Sequence, residues 1–205
     1  DLGKGDLCID LGANVGTVTM QLAQTGADVI AFEPDPTTFE WMTTSIGIGK
    51  NITLIPKAAG HRADRLLLRR SARLGEDFER FSEAASLVRN DKQMDESNSV
   101  EVEVVNLPAF LESLDRDIRL IKMDIEGSEW ALLDALLDHP VIQRVDCIFV
   151  ETHECSLNRK QGQAVTMVAL ATNKHVQVLY PCRRAHAYYY TAAAAFHCQL
   201  ARERY

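Results

Sequence analysis

At 205 residues, 46% hydrophobic and 25% charged, the chain suits one globular domain with a sizeable core rather than two small ones. No apolar run approaches the roughly 18 uncharged residues of a membrane-spanning helix, and residues 1–6 lack the basic-then-apolar order of a secretory signal. A formal charge of −7 argues against nucleic acid as the main partner.

Local basic clusters exist, Arg62, Arg65, Arg69, Arg70 and Arg73, and then Arg183 and Arg184. They read as solvated surface or small-anion contacts. The five cysteines, Cys8, Cys147, Cys155, Cys182 and Cys198, contain no Cys-x-x-Cys pair and so suggest neither a zinc site nor a disulfide framework. That usage fits a reducing compartment, with the cytoplasm as the default expectation.

In chain order, residues 7–11 form a short apolar run closed by Gly12, the pattern of a buried strand. Residues 16–24 place Val18, Leu22 and Ala23 on one side of a helix, and Gly26 offers its stop. A second strand is expected over 29–32, broken by Glu33-Pro34-Asp35-Pro36. Pro36 sits just inside the start of a second helix over 37–46, where its missing N–H costs nothing. Residues 52–55 read as a third strand. This alternation predicts a parallel sheet with crossover helices.

Regularity then loosens. Residues 60–99 are rich in charge, with apolar islands at 66–68 and 86–88, and are expected to be an insertion with short strands that covers the site. Val100, Val102 and Val104 alternate with Glu101 and Glu103 as in a half-exposed strand, and 107–114 is a short helix. Residues 120–124 are a strand, and Ser128 is expected to cap a helix over 129–137, stopped by His139-Pro140. Another buried strand over 145–150 ends in Glu151-Thr152-His153. A helix over 163–172, a strand over 176–179 and a last strand within 188–201 complete the reading. With no repeat and no linker, residues 1–205 read as a single domain.

Ligands of open parallel sheets bind outside the carboxyl ends of the strands. Those ends carry Asp10, Glu33, Asp124 with Glu126, and Glu151 with His153. Gly12 and Gly16 let the first loop turn sharply and pass close under a ligand. The dinucleotide pattern Gly-x-Gly-x-x-Gly is absent, and Asp10 before the loop suits a cofactor with an ammonium group and no pyrophosphate. Glu33, 21 positions after Gly12, stands where a carboxylate accepts from the two hydroxyls of a ribose. Together these residues point to an adenosine-containing cofactor.

The stretch Asp10-Leu11-Gly12-Ala13-Asn14-Val15-Gly16, with Phe32-Glu33-Pro34-Asp35, resembles class I methyltransferases that use S-adenosylmethionine. Lys122-Met123-Asp124-Ile125-Glu126-Gly127-Ser128-Glu129 resembles the more specific Lys-x-Asp-x-Glu-Gly-x-Glu signature of the FkbM family. The resemblance runs from about Leu7 to Glu154 and weakens across residues 60–99. It implies a Rossmann-like three-layer α/β sandwich, a mostly parallel seven-stranded sheet with a final antiparallel strand, and methyl transfer to a hydroxyl. Gly12, Asn14 and Gly16 would then line S-adenosylmethionine, Glu33 would hold its ribose, and Asp124 would lie near its methionine end. Glu151 and His153 match the family's short Glu-x-His.

A sulfonium methyl is already electrophilic, so the protein must align an acceptor oxygen and take its proton. His153 is the favoured base; Asp124 or Glu126 could serve instead or orient the nucleophile. Asp124, Glu126, Glu151 and His153 also form an oxygen-rich set, but no spacing requires a metal, and none is expected. The acceptor class is a hydroxylated small molecule or glycan. Two rival readings remain, a nicotinamide-dependent oxidoreductase and a non-catalytic cofactor- or partner-binding domain. The missing third glycine and the absence of a Tyr-x-x-x-Lys pair count against the oxidoreductase.

Overall fold

A run buried on both faces, apolar except for Asp10, defines the first strand, β1 (Leu7–Leu11). The computed structural model describes residues 1–46, 49–71, 94–125, 127–151, 170–171 and 174–179. From β1 the chain continues through α1 (Thr17–Gln24), β2 (Asp28–Phe32), α2 (Pro36–Ile46) and β3 (Ile52–Ile55). Next come β4 (Ala58–Gly60), β5 (Asp64–Ser71), β6 (Met94–Asn106) and α3 (Leu107–Ser113). The remaining elements are β7 (Leu120–Met123), α4 (Glu129–Leu137), β8 (Cys147–Glu151), β9 (Leu170–Ala171) and β10 (Lys174–Leu179).

Seven strands form the main sheet in the order β3-β2-β1-β7-β8-β10-β9. Every neighbouring pair is parallel except β9 with β10. On one face, Leu7, Ile9, Leu11, Ile121, Met123, Ile148 and Val150 share a core with Leu107 and Leu111 of α3 and Leu132, Leu133 and Leu136 of α4. On the other, Cys8, Val29 and Leu120 pack with Leu22 of α1, while Ala31 meets Met42 and Ile46 of α2. The result is a three-layer α/β sandwich of Rossmann-like type. Burial pushes the Cys8 thiol up to about 12, so it is a small hydrophobe rather than a nucleophile.

The helix ends follow their local chemistry. Pro36 opens α2 behind Asp35, whose carboxylate accepts from the amides of Thr37 (2.8 Å) and Thr38 (3.3 Å). Asn106 caps α3 by accepting from the Ala109 amide at 3.2 Å. After α4, His139 accepts from the Val141 amide through Nδ1 at 3.2 Å and opens a 3-10 turn, Pro140–Arg144. Ser128 makes no such side-chain cap at α4, contrary to expectation. The acceptor there is Glu129, which reaches back to the loop before the helix.

The charge-rich segment after β3 is more regular than its composition suggests. β4, β6 and β5 form a second sheet, with β6 parallel to β4 and antiparallel to β5. One face buries Ala58, Leu68, Val102 and Val104. The other carries Arg65 against Glu101 (3.4 Å) and Glu103 (3.0 Å), and Lys57 against Glu103 (2.7 Å). Opposite charges on facing strands are compatible with long strands, so charge density here did not signal a loop. Residues 72–93, with the apolar island at 86–88, lie outside the described residues.

Two further expectations concern the end of the chain. Leu170–Ala171 was expected to be helical and is instead an edge strand, because Ala171 pairs with Lys174 and Leu170 with His175. The rest of 163–172 that precedes it, and the expected last strand within 188–201, lie outside the described residues. Among the described residues no helix is long and apolar enough to cross a membrane.

Candidate functional site

The chain runs from β1 to β2 on one side and later places β7 on the other, so a crevice opens at the carboxyl ends of β1 and β7. The β1–α1 loop fills its floor. Gly12 and Ala13 both donate their amides to the Phe32 carbonyl, at 3.1 and 2.9 Å, and Gly16 closes the turn onto the Ala13 carbonyl at 2.8 Å. Asn14 sits at φ 51, a conformation asparagine tolerates better than most residues.

The two glycines answer to the protein itself. At Gly12 (φ +73) a Cβ would lie 1.9 Å from the Asp124 carbonyl oxygen. At Gly16 (φ +85) it would lie 1.9 Å from Ile46 Cδ1. Room for a ligand was the expected reason for both. The structure gives a nearer one, the close passage of β7's end and of α2 under the loop.

Glu33 directly follows β2 and is 6% exposed. One carboxylate oxygen accepts from the Asn14 amide at 2.8 Å and the other from the Asp35 amide at 2.9 Å. Each oxygen keeps a second lone pair. Burial raises the carboxyl pKa from 4.5 to about 7, with the Asp35 charge adding to the rise and the two amides and Lys122 opposing it.

Lys122 lies under the loop. Its ammonium donates to the Gly12 carbonyl at 2.8 Å and stands 3.5 Å from both Asp10 Oδ1 and Asp124 Oδ2. Burial alone would lower its pKa, but the carboxylates of Asp10, Asp124 and Glu151 outweigh burial and raise it. Asp10 was expected to turn toward a ligand ammonium. It is 0% exposed, accepts from Thr19 Oγ1 at 2.6 Å, and the ammonium it meets belongs to Lys122. Paired carboxylates satisfy that buried charge from two sides.

The loop after β7 is shaped by Glu129. This side chain is 1% exposed and accepts from the Ile125 amide at 3.1 Å and the Gly127 amide at 3.0 Å. Asp124 thereby leaves β7 into a fixed turn. The structure brings Asp10, Gly12, Asn14, Glu33 and Asp124 to one crevice, with Gly16 behind it against α2. Glu126 and His153 lie outside the described residues, and Glu151 ends β8. Among the described residues no group of three His, Cys, Asp or Glu side chains is placed to hold a metal ion.

Lys122, Glu129 and Asp35 were not expected as site residues, although the first and the last left a trace. A lysine inside a strand otherwise made of Leu, Ile and Met is one. An aspartate immediately before Pro36 at a helix start is another.

The family described as the methyltransferase FkbM domain matches residues 10–180. The chain belongs to the FkbM methyltransferase family. That match runs from Asp10 in β1 past the end of β10 and includes the crevice residues described above. The chain thus carries a methyltransferase domain of the FkbM type. No functionally curated protein matches the sequence. Among solved structures, precorrin 8w decarboxylase from Methanobacterium thermoautotrophicum is similar at 18% identity and a TM-score of 0.35. The similarity covers 66% of this chain and 49% of that one, so the chain spans about half the length of that protein.

Two outcomes follow from this geometry. Gly12→Ala combines a left-handed backbone with a clash against the Asp124 carbonyl, and should destabilise the fold by about 2 kcal/mol or more. Urea denaturation reads this directly, and unchanged stability would show that the loop and β7 can part freely. Glu33 gives a pH signature. Between 4.5 and about 7 the folded protein keeps a proton that the unfolded chain has released, so stability should fall as pH rises through that window. The fall should be at most about 3 kcal/mol. Glu33→Gln should remove that slope, and a variant with the same pH dependence as the parent would assign the slope elsewhere.

Proposed function

We propose that this FkbM domain transfers a methyl group from S-adenosylmethionine to a hydroxyl of a sugar or a natural-product-like acceptor. The observation that carries the cofactor assignment is Glu33. Its two oxygens each hold one backbone amide and keep one lone pair, which matches the two adjacent hydroxyls of a ribose. Asn14 Oδ1, buried with no hydrogen-bond donor among the described residues, marks a loop with acceptor capacity to spare. When bound, the cofactor supplies an electrophilic sulfonium methyl.

In this reading Glu33 holds the ribose, while Gly12, Asn14 and Gly16 shape the loop that the cofactor lies against. Asp10 and Lys122 support that loop from beneath. Asp124 stands at the crevice's mouth near the methionine end. The acceptor's proton goes to His153, with Asp124 or Glu126 as the alternative acceptors. The protein's contribution to rate is then alignment of an oxygen with the methyl and removal of one proton.

Calorimetry at pH 8, where the Glu33 carboxyl is ionised, tests the cofactor. Glu33→Ala should weaken S-adenosylmethionine by about 10- to 150-fold through loss of charged hydrogen bonds, and NADH should not bind the parent. Equal affinity of parent and variant would sink the role of Glu33, and binding of NADH instead would favour the oxidoreductase. For the base, an acceptor found by methylation screening of glycans and hydroxylated products is needed. With it, His153→Ala should lower kcat by about 10²–10⁴ with little change in cofactor affinity. A variant that keeps the parent's kcat and pH–rate profile moves the proton to Asp124 or Glu126.

A further inference from the structure

A side chain of the second sheet reaches the frame of the cofactor crevice. Arg70, near the end of β5, forks onto Asp35, with Nε 2.6 Å from Oδ2 and Nη2 2.7 Å from Oδ1. Nη2 also donates to Thr37 Oγ1 at 3.2 Å. Arg70 is 15% exposed and Asp35 2%, so this is a shielded, bidentate pair rather than a surface contact. The same Asp35 caps α2, and its amide donates to Glu33 Oε1. Glu33 Oε2 in turn accepts from Asn14 in the β1–α1 loop.

We infer that Arg70 is a positioning residue for the cofactor site, acting through Asp35 on the Glu33 carboxylate and the Asn14 turn. The inference rests on the reading of Glu33 as the ribose ligand. Arg70 itself touches no part of the crevice loop in the described contacts. Its effect is to fix the backbone of residue 35, and so the direction in which Glu33 Oε1 is held. A strand of the second sheet thereby sets the geometry of a site built on the main sheet. A break in β5–β6 pairing lies between Arg69 and Arg70, where the register shifts. That irregularity re-aims the strand at the point where Arg70 leaves it.

The test is a double-mutant cycle on the whole chain with S-adenosylhomocysteine as the probe, at pH 8. Arg70→Met should weaken binding by about 3- to 30-fold in the parent and by less than about twofold in a Glu33→Ala background. Arg70→Lys, which keeps the charge and loses the fork, should fall between. Equal losses in both backgrounds would overturn the inference, since Arg70 would then act on the ligand or the whole fold. No loss in either would overturn it as well. If Arg70→Met does not fold, Asp35→Asn carries the same cycle, because asparagine keeps the α2 cap and loses the ion pair.

A second readout needs no ligand. In the free protein, Arg70→Met should speed hydrogen exchange at the Asp35 and Asn14 amides and leave β8 unchanged. Unaltered exchange at both amides overturns the relay. Failure of the parent to bind S-adenosylhomocysteine would refute the proposed cofactor instead, and exchange would still decide the relay.

Discussion

Two backbones pass at Gly12 with no room for a methyl group between them, and the rest of the crevice takes its shape from that crossing. The loop leaving β1 is pressed onto the carbonyl of Asp124. Lys122, one strand across from Asp10 in register, holds the Gly12 carbonyl from below. Gly16 lets α1 begin against α2, with Ile46 where a side chain would be. Strand ends, loop and first helix are therefore one packed unit. A ligand lying along the loop meets a surface whose geometry is fixed before it arrives.

The same unit buries charge, which is costly unless the partners are complete. Lys122 has carboxylates at equal distance on two sides and a carbonyl on a third. Glu129 has three amide contacts from two residues. Glu33 is the exception. It is buried with two amides and, among the described residues, no ion-paired cation, and burial raises its proton affinity. A carboxylate in that state has capacity that no described residue uses.

Much of this could be read from the sequence where the signal was local. β1, β3 and α4 fall on the expected residues because their apolar runs and stops are contiguous. Glu33 and the glycine loop were visible for the same reason, as spacings within one strand–helix–strand unit. Arg70 was seen only as one of a basic cluster, because its partner is 35 positions away and no periodicity links them. β5 and β6 were underestimated since their charges were judged one strand at a time. Cross-strand pairing, which explains those charges, exists only once the hairpin is formed. Glu129 was missed as a clasp because a glutamate at a helix start reads equally well as a dipole partner.

Strand β5 pairs on one side only among the described residues, so it presents open N–H and C=O groups along its free border. Leu67 beside that border is 47% exposed, the combination from which chains stick to one another. The residues that interrupt it are Arg65 and Arg69. Two copies approaching border to border in antiparallel fashion would bring arginines toward arginines. The charge that made this segment look like an insertion therefore lies along an edge, where it opposes pairing between copies.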